Sequence, residues 1–115
     1  MGRLADKAVS NHKHWYSCSA SVLCAFAGEA GLSEAEAKKL ASPMAGGRMG
    51  RCGAVMAAER VLSLKYGEAQ AQALIGRLDR EFIRKNGSVM CADLRGSCRR
   101  CVTDAAAILE GILQE

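Results

Sequence analysis

Residues 46–58 read Gly-Gly-Arg-Met-Gly-Arg-Cys-Gly-Ala-Val-Met-Ala-Ala, a glycine-rich loop that leads directly into an alanine-rich stretch. Alanine is the strongest helix former, so the second half of this stretch predicts a helix over about 52–65. The glycines let the backbone approach another element closely and leave N–H groups free to face an anionic ligand or a thiolate. We expect that role of four glycines: Gly46, Gly47, Gly50 and Gly53.

The sequence upstream of this loop also has a helical pattern. Apolar residues recur at helical spacing over 4–29, which predicts one long central helix with Trp15 and Cys18 on its buried stripe. Ser33 and Glu36 form a capping box that opens a short second helix, ending near residue 41. Met44, at the start of the loop, and Met49 within it are expected to be core contacts.

Two further helices are predicted downstream of the loop. One carries Leu74, Leu78 and Phe82 and ends at Asn86-Gly87, and the last helix covers about 99–113. The chain has no alternating strand pattern. The sequence therefore predicts an all-α fold, a compact bundle of about five helices that forms a single domain over residues 1–115.

Composition excludes several classes of protein. The 115 residues include no stretch near the roughly 20 apolar residues of a membrane span, and no apolar run typical of a signal peptide. We expect no membrane association and a cytoplasmic location. The net charge of +4 is concentrated over 77–100, but without the interleaved aromatics or reading helix that nucleic-acid binding needs. No paired carboxylates, Ser-His arrangement or nucleotide loop indicates a hydrolase or transferase.

The six cysteines are the remaining chemical signal. In a cytoplasmic chain they favour metal binding or thiol chemistry over a disulfide framework. Cys52, Cys91 and the Cys98-x-x-Cys101 pair lie at predicted starts of helices or turns, where unpaired N–H groups and the helix dipole favour a thiolate. We therefore expect lowered pKa values there, helped by four neighbouring arginines: Arg51, Arg95, Arg99 and Arg100.

The other potential ligands carry weaker signals. Cys18 is predicted to lie in the middle of its helix and to face inward. Cys24 is expected to be a small buried hydrophobic residue. His12 and His14 point to different faces of one helix, and surface positions are expected for both. A single C-x-x-C without a second knuckle or a βαβ context does not indicate a zinc finger or a thioredoxin.

The ordered pattern of these residues resembles a known family. The positions that carry it are Cys18 and Ala20, Gly46-Gly47-x-Met49-Gly50, Cys52-Gly53-Ala54, Lys65-Tyr66-Gly67, Cys91 with Leu94 and Gly96, and Cys101 with Asp104-Ala105-Ala106. Together they resemble the redox-active family named for its motif, C_GCAxxG_C_C, over residues 17–113. The chain departs from the motif at Ala57, where the family has glycine, and at Cys98, which is an additional thiol.

The resemblance implies an all-helical domain with four working cysteines: Cys18, Cys52, Cys91 and Cys101. A similar domain accompanies haem in split-Soret-type cytochromes, where an iron–sulfur cluster is associated with it. The leading hypothesis is a redox-active protein whose four cysteines converge to bind such a cluster or another thiophilic metal, or cycle between dithiol and disulfide.

Two other hypotheses remain open at this point. One is a metal-free dithiol oxidoreductase in which Cys98 and Cys101 are the attacking and resolving thiols. The other is a helical interaction or oligomerisation module, such as a homodimer, whose cysteines only pack. A redox partner is expected for the first two hypotheses, and the sequence does not identify it.

Overall fold

Helices make up nearly all the regular structure of residues 2–115, the part of the chain described by the computed structural model. This part contains no strand, and the predicted all-α fold is confirmed, with seven helices where about five were expected. They are α1 (Arg3–Lys13), α2 (Cys18–Ala25), α3 (Ala27–Ala30), α4 (Glu34–Ala41), α5 (Gly53–Tyr66), α6 (Glu68–Asn86) and α7 (Cys98–Leu113). Two 3-10 segments, Ser42–Gly47 and Cys91–Leu94, precede α5 and α7.

The long helix predicted over residues 4–29 is wrong. The chain leaves the helical path at Trp15, whose φ of +75° lies in the left-handed region. Trp15 is 96% exposed and does not belong to a buried stripe. Ser17 then caps a new helix, because its Oγ accepts a hydrogen bond from the N–H of Ala20 at 3.2 Å. Cys18 is therefore the first residue of α2 and does not lie in the middle of a helix.

The core forms where α2, α5, α6 and α7 pack together. Alanines on these helices keep the backbones close, and a few large side chains fill the centre. The largest fully buried apolar side chains are Phe26, Phe82, Leu23, Leu62, Leu78 and Leu109. None of the helices within residues 2–115 combines the length and apolar character that crossing a membrane requires.

A buried carboxylate ties α1 to α7. The Oε2 and Oε1 atoms of Glu110 accept hydrogen bonds from the N–H groups of Leu4 and Ala5, at 3.1 and 3.0 Å. These N–H groups belong to the first turn of α1 and lack partners within the helix. The carboxylate also complements the positive end of the helix dipole. Glu110 thus caps, from 105 residues away, a helix that has no side-chain cap of its own.

We expect Glu110→Ala to lower the free energy of unfolding by about 1–3 kcal/mol, because one buried and one partly buried N–H group lose their acceptor. Chemical denaturation at neutral pH measures the change. The matched control is Glu81→Ala on α6, whose carboxylate accepts no hydrogen bond within residues 2–115 and should change stability by less than about 0.5 kcal/mol. Equal losses in the two variants would show that Glu110 does not cap α1.

Candidate thiol site

Five of the six cysteines line one cavity of about 260 Å³. The cavity lies where the first residues of α2, α5 and α7 meet the two 3-10 segments. Its other lining residues are Gly46, Gly53, Leu94, Arg95 and Gly96. The cysteines are Cys18, Cys52, Cys91, Cys98 and Cys101. We call this space the thiol cavity; Cys24 lies outside it and is buried on α2, as expected.

The cavity thiols come from the beginnings of their elements. Cys18 is the first residue of α2, Cys52 is the N-cap of α5, and Cys91 opens the second 3-10 segment. Cys98 opens α7, and Cys101 follows one turn later. The predicted placement of thiols at such starts therefore also applies to Cys18, which was predicted to be the exception.

Cys52 and Cys91 are held side by side by a short backbone pairing. The N–H of Cys52 donates to the carbonyl of Val89 at 2.7 Å, and the N–H of Cys91 donates to the carbonyl of Gly50 at 2.9 Å. Between them, Arg51 and Met90 form an isolated antiparallel bridge. We call residues 50–52 and 89–91 the bridge. Sequence reasoning missed it, because single bridges have no alternating pattern.

Two of the predicted glycines are needed because sulfur atoms pack against them. A Cβ atom added to Gly53 would lie 2.7 Å from the Sγ of Cys18 and 2.7 Å from the carbonyl oxygen of Met44. One added to Gly47 would lie 2.8 Å from the Sγ of Cys91. Such distances are shorter than real Cβ contacts, so neither position accepts a side chain without displacing a cysteine.

The other two predicted glycines lie differently. Gly46 lines the thiol cavity, and an added Cβ would meet no atom within 4 Å. Gly50 is not among the lining residues and contributes its carbonyl oxygen to the bridge. Of the two methionines expected in the core, Met44 is buried, but Met49 is 56% exposed and that expectation is wrong.

Burial raises the pKa of three cavity thiols. The pKa of Cys52 is raised even though the N–H groups of Val55 and Ala54 favour its thiolate. Partial desolvation raises the pKa of Cys98, although its side chain is exposed overall, and burial raises the pKa of Cys101 to about 12, with the neighbouring Cys52 adding to the shift. The expected lowering of pKa is therefore wrong for these thiols, because desolvation outweighs the helix N-termini. They are protonated at neutral pH unless a bound cation displaces the proton.

The arginines expected beside the thiols point mostly elsewhere. Only Arg95 lines the thiol cavity. Arg99 donates from Nε to the Nδ1 of His12 at 2.7 Å, and Arg100 donates to the carbonyl oxygen of Lys85 at 3.0 Å. A surface position was expected for both histidines; His14 is exposed, but His12 is half-buried. Neither histidine lines the cavity.

Arg51, in the bridge, is held by two carboxylates that sequence reasoning did not connect to it. Its guanidinium donates to both carboxylate oxygens of Glu59, at 2.6 and 2.9 Å, and to Oδ2 of Asp79 at 3.2 Å. The Oδ1 atom of Asp79 is buried without a hydrogen-bond partner. Burial and the nearby Asp79 raise the pKa of Glu59 to about 7. A proton shared between the two carboxyl groups would satisfy that oxygen and leave the cluster neutral.

This carboxyl pair predicts a pH dependence of stability. The folded-state pKa of Glu59, about 7, exceeds its ordinary value of 4.5. The contribution of its protonation to the free energy of unfolding is therefore complete below about pH 4.5 and is lost as the pH rises through 7. We expect the free energy of unfolding to fall between about pH 5 and 8, and Glu59→Gln to flatten this slope. Denaturation across that range measures it, with Glu81→Gln as control. A slope that persists in Glu59→Gln contradicts the assignment.

The thiol cavity offers the type of donor that thiophilic groups prefer. Within residues 2–115 no set of three or more His, Cys, Asp or Glu side chains is arranged to hold a metal ion as it stands. The five thiols line the space without forming such a set as it stands. Thiolates select soft metals and iron–sulfur clusters. The volume is several times the roughly 30 Å³ that one water molecule occupies, which leaves room for a group of several atoms.

Comparison with known proteins supports the resemblance seen in the sequence. A family model described as "Putative redox-active protein (C_GCAxxG_C_C)" matches residues 16–112. The match spans all five cavity cysteines, the glycine-rich loop and the bridge. No curated protein and no solved structure matches the chain.

Proposed function

Because the chain belongs to the C_GCAxxG_C_C family, we propose that the thiol cavity holds a redox centre, and that this centre is an iron–sulfur cluster. One observation carries the proposal: five of the six cysteines, drawn from three separate regions of the sequence, line the same cavity. If the cysteines only filled space, they would be scattered through the core as Cys24 is. The interaction module with merely structural cysteines is therefore the weaker reading.

The ligands in this proposal are the four cysteines of the family motif, Cys18, Cys52, Cys91 and Cys101. The bridge keeps two of them adjacent, and Gly53 lets the start of α5 approach the sulfur of Cys18. Four thiolates in a buried space need a compensating cation, which a cluster's iron provides. When bound, such a cluster supplies one-electron transfer at a potential tuned by burial and by hydrogen bonds to its sulfurs.

Another thiophilic metal is the nearest variant of this proposal. A single zinc ion is four-coordinate and performs no redox chemistry. It would require four sulfurs to meet at one point, whereas the thiols surround a larger space. The volume of the thiol cavity thus supports a cluster over a single ion.

One observation favours the dithiol hypothesis. Cys98 is exposed and Cys101 is buried one helical turn further along α7, an arrangement suited to an attacking and a resolving thiol. The raised pKa of both thiols counts against it, because thiol–disulfide exchange needs the thiolate. The cluster is therefore favoured over the dithiol.

A spectroelectrochemical titration of protein reconstituted anaerobically with iron and sulfide distinguishes the two. A cluster predicts visible absorption that bleaches reversibly with one-electron behaviour. The dithiol predicts no visible band and a two-electron midpoint potential that is lost in Cys101→Ser. Protein that stays colourless and shows only the two-electron couple would overturn the cluster proposal in favour of the dithiol.

A further inference from the structure

The thiol cavity opens onto a positively charged surface. Its exposed lining residues include Arg95 and Cys98, so the opening lies at the beginning of α7. Residues 91–100 contain three exposed arginines and a single carboxylate. That carboxylate, on Asp93, accepts a hydrogen bond from the Oγ of Ser88 at 2.7 Å. This segment therefore carries a net positive charge, with Arg95 lining the cavity and Arg100 turned towards the carbonyl oxygen of Lys85 and the carboxylate of Asp104.

Trp15 lies in the turn that joins α1 to α2. The backbone N–H of Trp15 donates to the carbonyl oxygen of His12 at 3.3 Å, and the ring of His12 accepts the hydrogen bond from Arg99. Three residues after Trp15, Cys18 lines the thiol cavity. The exposed tryptophan is thus placed between a residue that touches α7 and a residue that lines the cavity. We call Trp15, Arg95, Cys98 and Arg99 the mouth face.

The conformation of Trp15 is unfavourable for an isolated chain in two respects. A bulky residue with positive φ is a backbone outlier, and Trp15 has φ +75°. Its indole is also 96% exposed, the highest value among the exposed large hydrophobic residues. Tryptophan and arginine are the residues most often found at the energetic centres of protein interfaces. The exposure is accounted for if another molecule covers the side chain.

We propose that the mouth face docks an acidic electron-carrier protein, with Trp15 as the apolar anchor and Arg95 and Arg99 as its charged contacts. That the partner carries electrons rests on the proposed redox function. That the partner is acidic rests on charge complementarity with the arginines. A second copy of the chain is a poor occupant of this face. A twofold contact would place the same arginines opposite each other.

Calorimetric binding to a small acidic flavodoxin, with the basic cytochrome c as the second probe, tests the proposal. The chain is used reduced and metal-free, so that failure to bind and failure to hold a cluster are separate results. We expect binding to the flavodoxin at about 10 mM ionic strength, weakened at least about tenfold at about 150 mM, and no binding to cytochrome c. Absence of salt-sensitive binding to the flavodoxin, or equal binding to both probes, overturns the proposal.

Two variants locate the contact. Arg95→Glu combined with Arg99→Glu should weaken flavodoxin binding by at least about tenfold. The control pair, Arg3→Glu with Arg80→Glu, makes the same charge change at exposed arginines outside the mouth face and should weaken it far less. Equal weakening by the two pairs would show that only net charge matters.

Trp15→Gly tests the anchor separately, because glycine accepts a positive φ and the fold is retained. We expect it to weaken flavodoxin binding by about tenfold or more, as truncation of an interface anchor does. Circular dichroism confirms that the helices remain. Unchanged affinity in Trp15→Gly would exclude the tryptophan from the interface and overturn the proposal as stated.

Discussion

Replacing Cys52 by serine is expected to lower the iron bound after anaerobic reconstitution by at least about tenfold, whereas Cys24→Ser should leave it unchanged. Both thiols are buried and free, so the two substitutions remove similar groups from similar surroundings. They differ in location, because Cys52 lines the thiol cavity and Cys24 does not. Iron analysis of the purified variants, with absorption spectra, measures the effect.

The same series ranks the remaining thiols. Cys18→Ser, Cys91→Ser and Cys101→Ser should resemble Cys52→Ser, since all four are proposed ligands. Cys98→Ser should retain most of the iron, because the fifth thiol is exposed at the mouth and lies outside the proposed ligand set. If Cys24→Ser loses iron as fully as Cys52→Ser does, the effect is one of folding, and the assignment of the cavity as the binding site fails.

The second large effect is expected from a single added methyl group. Gly53→Ala would place a Cβ atom 2.7 Å from the Sγ of Cys18 and 2.7 Å from the carbonyl oxygen of Met44. The carbonyl belongs to the backbone and cannot rotate away, so α5 or the sulfur must move. We expect a loss of about 1–3 kcal/mol in the free energy of unfolding. The bound iron should fall at least about tenfold, because a displaced ligand binds poorly.

Gly111→Ala is the matched control for this substitution. Gly111 also lies in a helix, and an added Cβ there meets no atom within 4 Å. Alanine should stabilise α7 by about 0.5–1 kcal/mol and leave the bound iron unchanged. If Gly53→Ala binds iron as well as Gly111→Ala does, the start of α5 has no part in placing Cys18.

Local patterns in the sequence were sufficient for the fold class and for several helix ends. The Ser33–Glu36 capping box forms as predicted, and Gly87 ends α6 in a left-handed conformation. The break at Trp15 was missed because apolar residues keep a helical spacing on both sides of it. Ser17 is a good N-cap residue, but the prediction gave more weight to the helical spacing of the apolar residues.

The chemistry of the site was less accessible from the sequence. The order of the cysteines indicated which thiols belong together, because the family motif preserves it. Their raised pKa values follow from burial by residues far away in the chain, which no local spacing encodes. The carboxylates that hold Arg51 lie 8 and 28 residues from it, and neither forms a motif with it. Local rules therefore placed Cys52, Cys91 and Cys98 correctly at the beginnings of their elements. They placed Cys18 wrongly, and they gave the wrong direction for the pKa of three thiols: Cys52, Cys98 and Cys101.

The most direct measurement is the absorption spectrum of anaerobically purified protein, combined with analysis of its iron and acid-labile sulfide. If the five thiols surround a cluster, the protein is coloured, and iron and sulfide are present in comparable, near-stoichiometric amounts per chain. Protein that is colourless and free of metal under these conditions would contradict the account. The cysteines of the thiol cavity would then act as a dithiol/disulfide couple or have only a structural role.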